Sequence, residues 1–412
     1  MHAHEPSLPR VSGEGRPRLE VADIFRQFGE AYRQSHVLTP QQHKVMRAIE
    51  QCRTEALGGH LDVCPNCGDS TPSYNSCRNR HCPKCQSMQQ AKWIAQRQAR
   101  VLPTHHFHVV FTVPDLLKSL ALYNREYFFR RLFEAASGTL LELGNDPKRL
   151  GAQLGITCVL HTWTRDLRFH PHIHCVVTGG GLNPDGERWI AARRRYLFPA
   201  KVMAKLFRGK LLDVIAKDWN AGELVCPPDL AAPRAFARLK DALYKKQWVV
   251  YAKTPFGGPA QVFSYLGRYT HRVAISNQRL LSLDDGSVRF ITRGQKTATL
   301  SADQFIARFL QHVLPSGFVK IRHFGLLAAG NVNTKLEAAN HLLQKACVSP
   351  PPKMLLPLLA FFIALYRPPS ATLDWRARLF LLTGFDPLRC SICGAIKLQK
   401  PLPRPPAILD SS

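Results

Sequence analysis

A chain of 412 residues with 45% hydrophobic and 21% charged residues is long enough for two or three domains that each bury a core, and its composition excludes a disordered chain. Lys and Arg number 56 against 29 Asp and Glu, a formal net charge of +27 at pH 7, so an anionic partner is expected. Nucleic acid comes first, because each cation that meets a phosphate releases condensed counterions, and an anionic membrane surface is the rival.

The longest apolar run, Met354 to Tyr366, is interrupted by Pro357 and falls short of the ~20 residues that span a bilayer, so it reads as a buried helix. The first residues lack the apolar stretch of a signal peptide. The protein is therefore expected in the cytosol, where its 12 cysteines are read as metal ligands before disulfides.

In chain order, residues 1–18 read as a flexible tail. Leu19, Ile24, Phe25 and Phe28 begin an amphipathic helix, and Thr39 as N-cap with Pro40 at the first helical position starts another. Val45, Met46, Ile49 and Cys52 share the apolar face of that second helix, which Gly58 and Gly59 end. Leu61 to Gln86 is too poor in apolar residues to make a core, so a metal must substitute for one. A basic connector helix follows from Met88 to Leu102.

His105 to Val113 alternates as a strand and opens a new domain, followed by helical patterns from Leu116 to Leu143. Ile156 to Trp163 and His172 to Thr178 read as an antiparallel hairpin whose turn carries Arg165 and Asp166. A basic helix (Val202 to Trp219), a strand (Trp248 to Ala252), a helix (Ala260 to Tyr269) and strands at Val273 to Ile275 and Val288 to Ile291 come next. Beyond the apolar helix, a Pro-rich tail from Pro401 to Pro406 should be extended and solvated. Strands and helices interleave without a repeat, which favours a mixed α+β sheet with helices packed on it. The segments expected are the tail 1–18, a helical and four-cysteine zinc module 19–103, a catalytic domain 104–345 and a mostly helical C-terminal region 346–412.

Cys64-x-x-Cys67 and Cys82-x-x-Cys85 form two knuckles whose four thiolates can converge on one structural zinc ion, closed to substrate because no coordination position is left open. Cys77 and His81 lie between them and can belong to a second site or replace a ligand in the first. Cys390-x-x-Cys393 is half of another knuckle that must borrow ligands or stay metal-free. Arg78, Arg80, Lys84 and Lys92 surround the knuckles and offer either a DNA-facing or a merely solvated basic surface.

His170-Pro-His172-Ile-His174 places residues 172 and 174 on one strand face, with Ile173 pointing to the core. His161, on the preceding strand of the hairpin, can supply a third nitrogen, with His170 as the fallback, and His106 and His108 are further candidates if their strand neighbours the hairpin. Three neutral imidazoles leave positions for a phosphate oxygen and water, which suits a divalent ion acting on a scissile phosphate. In the stretch Phe263 to Arg272, Tyr265 and Tyr269 stand at i and i+4, so a helix presents both hydroxyls on one face, with Arg268, His271 and Arg272 around them. Cationic neighbours and a polarised phosphate would ease attack by a phenol whose ordinary pKa is ~10.

These motifs together, with SCRNRHCPKCQ from Ser76, FTVPDLL from Phe111, LHTW before HPHIH and the Gly179-Gly180-Gly181 run, YLGRYTHR, and KIRHFG from Lys320, resemble the two-tyrosine HUH transposases, the rolling-circle insertion-sequence family, over most of the chain. The resemblance implies an antiparallel-sheet nuclease domain flanked by helices. His172 and His174 would carry Mg²⁺ or Mn²⁺, and Tyr265 and Tyr269 would be nucleophiles that cut single-stranded DNA at the ends of a mobile element and at its target through a 5′-phosphotyrosine. The protein would work at the bacterial nucleoid without membrane attachment, with a homo-oligomer left open. The Gly run would be a turn leaving the HUH strand. A rolling-circle replication initiator or relaxase shares this chemistry. A zinc-dependent DNA-binding regulator without catalysis, or a zinc hydrolase using the histidines, would leave the tyrosines idle.

Overall fold

The computed structural model describes residues 19–86, 100–256, 273–347, 376, 380 and 386–405. The helices expected at Ala260 to Tyr269 and Met354 to Tyr366, most of the connector from Met88, and Tyr265, Arg268, Tyr269 and Arg272 lie outside the described residues. The chain forms two compact units, one from Met1–Cys85, Ser276–Ile306 and Pro351–Ser412, the other from Gln86–Ile275 and Ala307–Pro350. The units are discontinuous, unlike the consecutive segments expected from composition, because long-range strand pairing and not local punctuation decides which pieces pack.

In the first unit, α1 (Val21–Ser35) opens with a capping box between Glu20 and Asp23, and α2 (Pro40–Glu50) with one between Thr39 and Gln42. Each box satisfies otherwise orphaned N-terminal amides, worth about 1 kcal/mol. Val21, Ile24 and Phe25 of α1 and Val45, Met46 and Ile49 of α2 are buried, as a 3.6-residue period requires. Strand β1 (Gly59–Val63) pairs antiparallel with β2 (Ser70–Tyr74) on one side and with β12 (Leu398–Leu402) on the other. Of the tail expected to be extended and solvated, Pro401 and Leu402 pair in β12, while Pro403, Arg404 and Pro405 are exposed and outside any strand. Pro401, opposite His60, is tolerated because β12 is an edge strand with no outer ladder to break. A second meander, β8 (Leu280–Asp284), β9 (Ser287–Ile291) and β10 (Thr297–Ser301), leads into α7 (Ala302–Leu310), and Phe290 packs edge-on against Phe305.

The second unit is built on a fully antiparallel sheet. Its strands are β3 (His106–Thr112), β4 (Gln153–Trp163), β5 (Phe169–Leu182), β6 (Trp189–Ala191), β7 (Val249–Phe256) and β11 (Ile321–Gly325), in the order β11-β4-β5-β3-β7 with β6 on β5. Its helices are α3 (Lys118–Tyr123), α4 (Arg125–Asn145), α5 (Ala200–Asn220), α6 (Ala235–Lys245) and α8 (Lys335–Cys347). One sheet face, with Phe107, Val109 and Phe111 of β3, Ile156 and Leu160 of β4 and Ile173 and Val177 of β5, is buried in one cluster with Phe128, Phe129 and Phe133 of α4 and Phe207 of α5. Each such side chain contributes roughly 1.5–3 kcal/mol of burial. The architecture is α+β with antiparallel sheets.

Two expectations fail locally. Gly179, Gly180 and Gly181 are inside β5 and not in a turn. A Cβ at Gly179 would lie 2.5 Å from His105, one at Gly180 2.5 Å from the Ile190 carbonyl, and one at Gly181 2.4 Å from the Gln153 carbonyl, so the glycines permit close backbone approach on three sides. Val273 to Ile275 are buried but form no strand, because Ala274 takes φ 55°, outside the extended region.

Candidate functional site

The face of the large sheet opposite α4 and α5 carries the histidines. In register, His172 of β5 stands opposite His161 of β4 and Thr112 of β3, and His174 opposite Val159 and Val110. Strand alternation sends all these side chains to one face. Ring centroids of His161 and His174 are 4.3 Å apart, those of His172 and His174 4.9 Å, and those of His161 and His172 5.4 Å. One ring nitrogen from each of the three lies within 4.8 Å of the others.

Hydrogen bonds set which nitrogen faces inward. His172 Nδ1 is 2.7 Å from the His170 carbonyl oxygen, so Nδ1 carries the proton and donates, and Nε2 is left as the lone-pair donor. Burial pushes the pKa of His172 down to about 4, which keeps the ring neutral and ligand-competent at pH 7. His174 Nδ1 is 2.8 Å from His108 Nε2, with the two rings stacked, so His108 orients His174 from the neighbouring strand. Trp163 stacks on His161 at 4.7 Å, and the Asp115 carboxylate lies 3.2 Å from His170 Nδ1. Three imidazoles on one partly open face are a donor set that fits a divalent ion of borderline softness. His170 and His106 are not among the three: His170 Nδ1 turns to Asp115, and His106 Nδ1 lies 3.0 Å from the Thr104 carbonyl oxygen.

Among the described residues eight cysteines fall into two groups of four, not the single group that sequence spacing suggested. Cys82 and Cys85 meet Cys52 and Cys77, while Cys64 and Cys67 meet Cys390 and Cys393. Cys64 and Cys67 close the tip of the β1–β2 hairpin, and that hairpin axis carries them to the returning C-terminal segment instead of to the next knuckle. Cys85 Sγ lies 3.6 Å from Cys52 Sγ and 3.7 Å from Cys77 Sγ. His81 is buried and turns its Nδ1 toward Asn79 Oδ1 at 3.1 Å, outside both groups of four. In the sequence Cys52 continues the apolar spacing of Val45, Met46 and Ile49 and so reads as a core residue of that helix. It sits beyond the last turn of α2, and no nearby second cysteine marks it.

Of the basic residues expected around the knuckles, Lys92 lies outside the described residues. Lys84 is engaged by Glu20, 2.5 Å away, and by the Cys52 carbonyl oxygen. Arg78 is exposed, and Arg80 is partly buried. His43, Lys44 and Arg47 of α2, with Gln51 and Cys77, line a cavity of about 440 Å³. Among the described residues no helix is long and apolar enough to cross a membrane.

Residues 155–335 match the family model described as "Putative transposase", and residues 24–113 match one described as "Transposase zinc-binding domain". The chain is 48% identical over 341 residues to "Putative transposase y4qJ" of Sinorhizobium fredii, covering 80% of this chain and 86% of that protein. It is 30% identical over 359 residues to "Transposase for insertion sequence element IS801" of Pseudomonas savastanoi pv. phaseolicola, covering 84% of this chain and 80% of that one. No solved structure matches. The chain therefore belongs to the two-tyrosine insertion-sequence transposase family and carries that family's zinc-binding domain within its N-terminal region.

Proposed function

We propose that this transposase cuts and rejoins single-stranded DNA at the ends of its element through a 5′-phosphotyrosine, with His161, His172 and His174 holding a divalent ion and Tyr265 and Tyr269 as nucleophiles. The observation that supports it most is the convergence of three imidazoles on one open sheet face, with hydrogen bonding that leaves His172 Nε2 unprotonated. The ion would act as a Lewis acid on the scissile phosphate. An all-imidazole set favours Mn²⁺ over the harder Mg²⁺.

The phenolic oxygen of one tyrosine attacks phosphorus, the bond from phosphorus to the 3′ oxygen breaks, and the phenolic proton ends on that oxygen through solvent. One phosphodiester replaces another, so rejoining needs no nucleotide cofactor. Arg268 and Arg272, which neighbour the tyrosines in the sequence, would hold the flanking phosphates, and the cysteine-rich module with Arg78 and Arg80 would hold the DNA near the cut. The same module would keep its zinc as structure and not as catalyst, because four thiolates leave no open position.

The test uses labelled single-stranded oligonucleotides covering the element's ends, incubated with Mn²⁺ and resolved under denaturing conditions. A covalent protein–DNA adduct is expected from the wild type. It should be absent with EDTA, in His172→Ala/His174→Ala and in Tyr265→Phe/Tyr269→Phe. Cleavage that survives the double tyrosine substitution would instead indicate a metal hydrolase with the tyrosines as bystanders.

A further inference from the structure

The family's zinc-binding region matches residues 24–113, yet half of the second cysteine group lies far outside it. Cys64 Sγ is 3.4 Å from Cys393 Sγ, and Cys67 Sγ is 3.6 Å from Cys390 Sγ, across 329 and 323 residues of chain. A zinc ion bound to sulfur at about 2.3 Å sets tetrahedral S···S edges near ~3.8 Å, so the four sulfurs, all within 4.8 Å of one another, already stand close to that frame.

The backbone around the two halves is built the same way. In the first, Gly68 N–H donates to the Cys64 carbonyl at 3.0 Å and Cys64 N–H to the Asp69 carbonyl at 2.8 Å. In the second, Gly394 N–H donates to the Cys390 carbonyl at 3.0 Å and Cys390 N–H to the Ala395 carbonyl at 2.8 Å. Gly68 and Gly394 take φ of 76° and 74°, a left-handed turn open to glycine. Two matched Cys-x-x-Cys-Gly knuckles therefore face each other, joined by the β1–β12 ladder and by Lys397, whose Nζ is 3.4 Å from Asp69 Oδ2.

We propose that the chain holds a second structural zinc ion, bound by Cys64, Cys67, Cys390 and Cys393, that fastens the segment 386–405 onto the N-terminal hairpin. This goes beyond the zinc-binding domain that the family supplies and rests on that domain binding zinc through Cys52, Cys77, Cys82 and Cys85. Disulfides between the same residues would give a similar outline. The gathering of all four sulfurs in one cluster, with one buried and one exposed cysteine from each knuckle, favours a shared ion over two separate bonds.

The experiment takes the full-length protein in a His161→Ala/His172→Ala/His174→Ala background, which removes the third candidate metal site. Zinc is measured by elemental analysis, and the cysteines are followed by timed alkylation and mass spectrometry. Two zinc ions per chain are expected, falling to one in Cys390→Ser/Cys393→Ser and to one in Cys52→Ser/Cys77→Ser. On addition of chelator, Cys64, Cys67, Cys390 and Cys393 should become alkylated together. This labelling needs no variant in either cysteine group, so it decides the case even if the serine variants do not fold. One zinc per chain with Cys390 and Cys393 alkylated at once would overturn the second site and leave the first standing. A Cys64–Cys393 disulfide in the purified protein would also overturn it. Immediate labelling of all eight cysteines would sink both sites.

Discussion

His312 shows how one buried ring ties stability to pH. Its Nε2 lies 3.1 Å from the Leu167 carbonyl oxygen and must donate, so Nδ1, 3.2 Å from Thr162 Oγ1, accepts. Burial pushes its pKa down to about 3, against ~6.5 in the unfolded chain. Between those values the unfolded state binds more protons. Its contribution is therefore complete above about pH 6.5 and falls by ~1.4 kcal/mol per pH unit as pH drops toward 3. Urea unfolding from pH 7 to 4.5 should show a steeper loss in the wild type than in His312→Gln, and parallel slopes would refute the assignment. If the histidine face holds the proposed ion, His108→Ala should weaken Mn²⁺ binding about 10–100-fold, read by calorimetry, whereas His108→Gln, whose amide can still meet His174, should retain most of it. An equal loss in both would mean His108 only fills space. The shared face of His172 and His174 is legible in the sequence because strand alternation is local. The proximity of His108 and Cys52 to their clusters is not, since it depends on which strand lies next to which and where a helix stops.

Among elements, α2 carries two faces with separate roles. Its apolar face is fixed by Val45, Met46 and Ile49, and the opposite face presents His43, Lys44 and Arg47 to the cavity beside Cys77. If this face meets DNA phosphates, Lys44→Glu/Arg47→Glu should weaken binding most at low salt. It should also flatten the dependence of log affinity on log salt by about 2. An unchanged slope in fluorescence anisotropy would assign the charges to solvation alone. The cap at Thr39 and Pro40 was readable because capping is a contact within four residues. The Gly179 to Gly181 run could not be read as strand, because its reason is the approach of His105, Gln153 and Ile190, all remote in sequence. Gly325 belongs to the same class: it takes φ 61°, and a Cβ there would fall 1.8 Å from the Leu154 carbonyl oxygen.

For the whole molecule, the two units differ in what holds them. The large sheet buries a continuous aromatic and aliphatic cluster, while the three-stranded sheet of β12, β1 and β2 has partly buried or exposed positions along all three strands and, if its cysteine clusters bind zinc as proposed, relies on them. Chelator should therefore lower the unfolding temperature of the first unit and leave that of the second nearly unchanged, giving two separated transitions by calorimetry. A single transition that shifts as one would contradict this. Composition, charge and local spacing by themselves determined the class of partner, the α+β interleaving, the cysteine knuckles and the paired histidines, because each of these is written in residues within a few positions of one another. Only the tertiary structure decided which knuckle meets which, that β12 returns to β1, and that residues 276–306 cluster with the N-terminal helices. Such pairings join segments hundreds of residues apart, and they are chosen by strand register and burial, which no local pattern records.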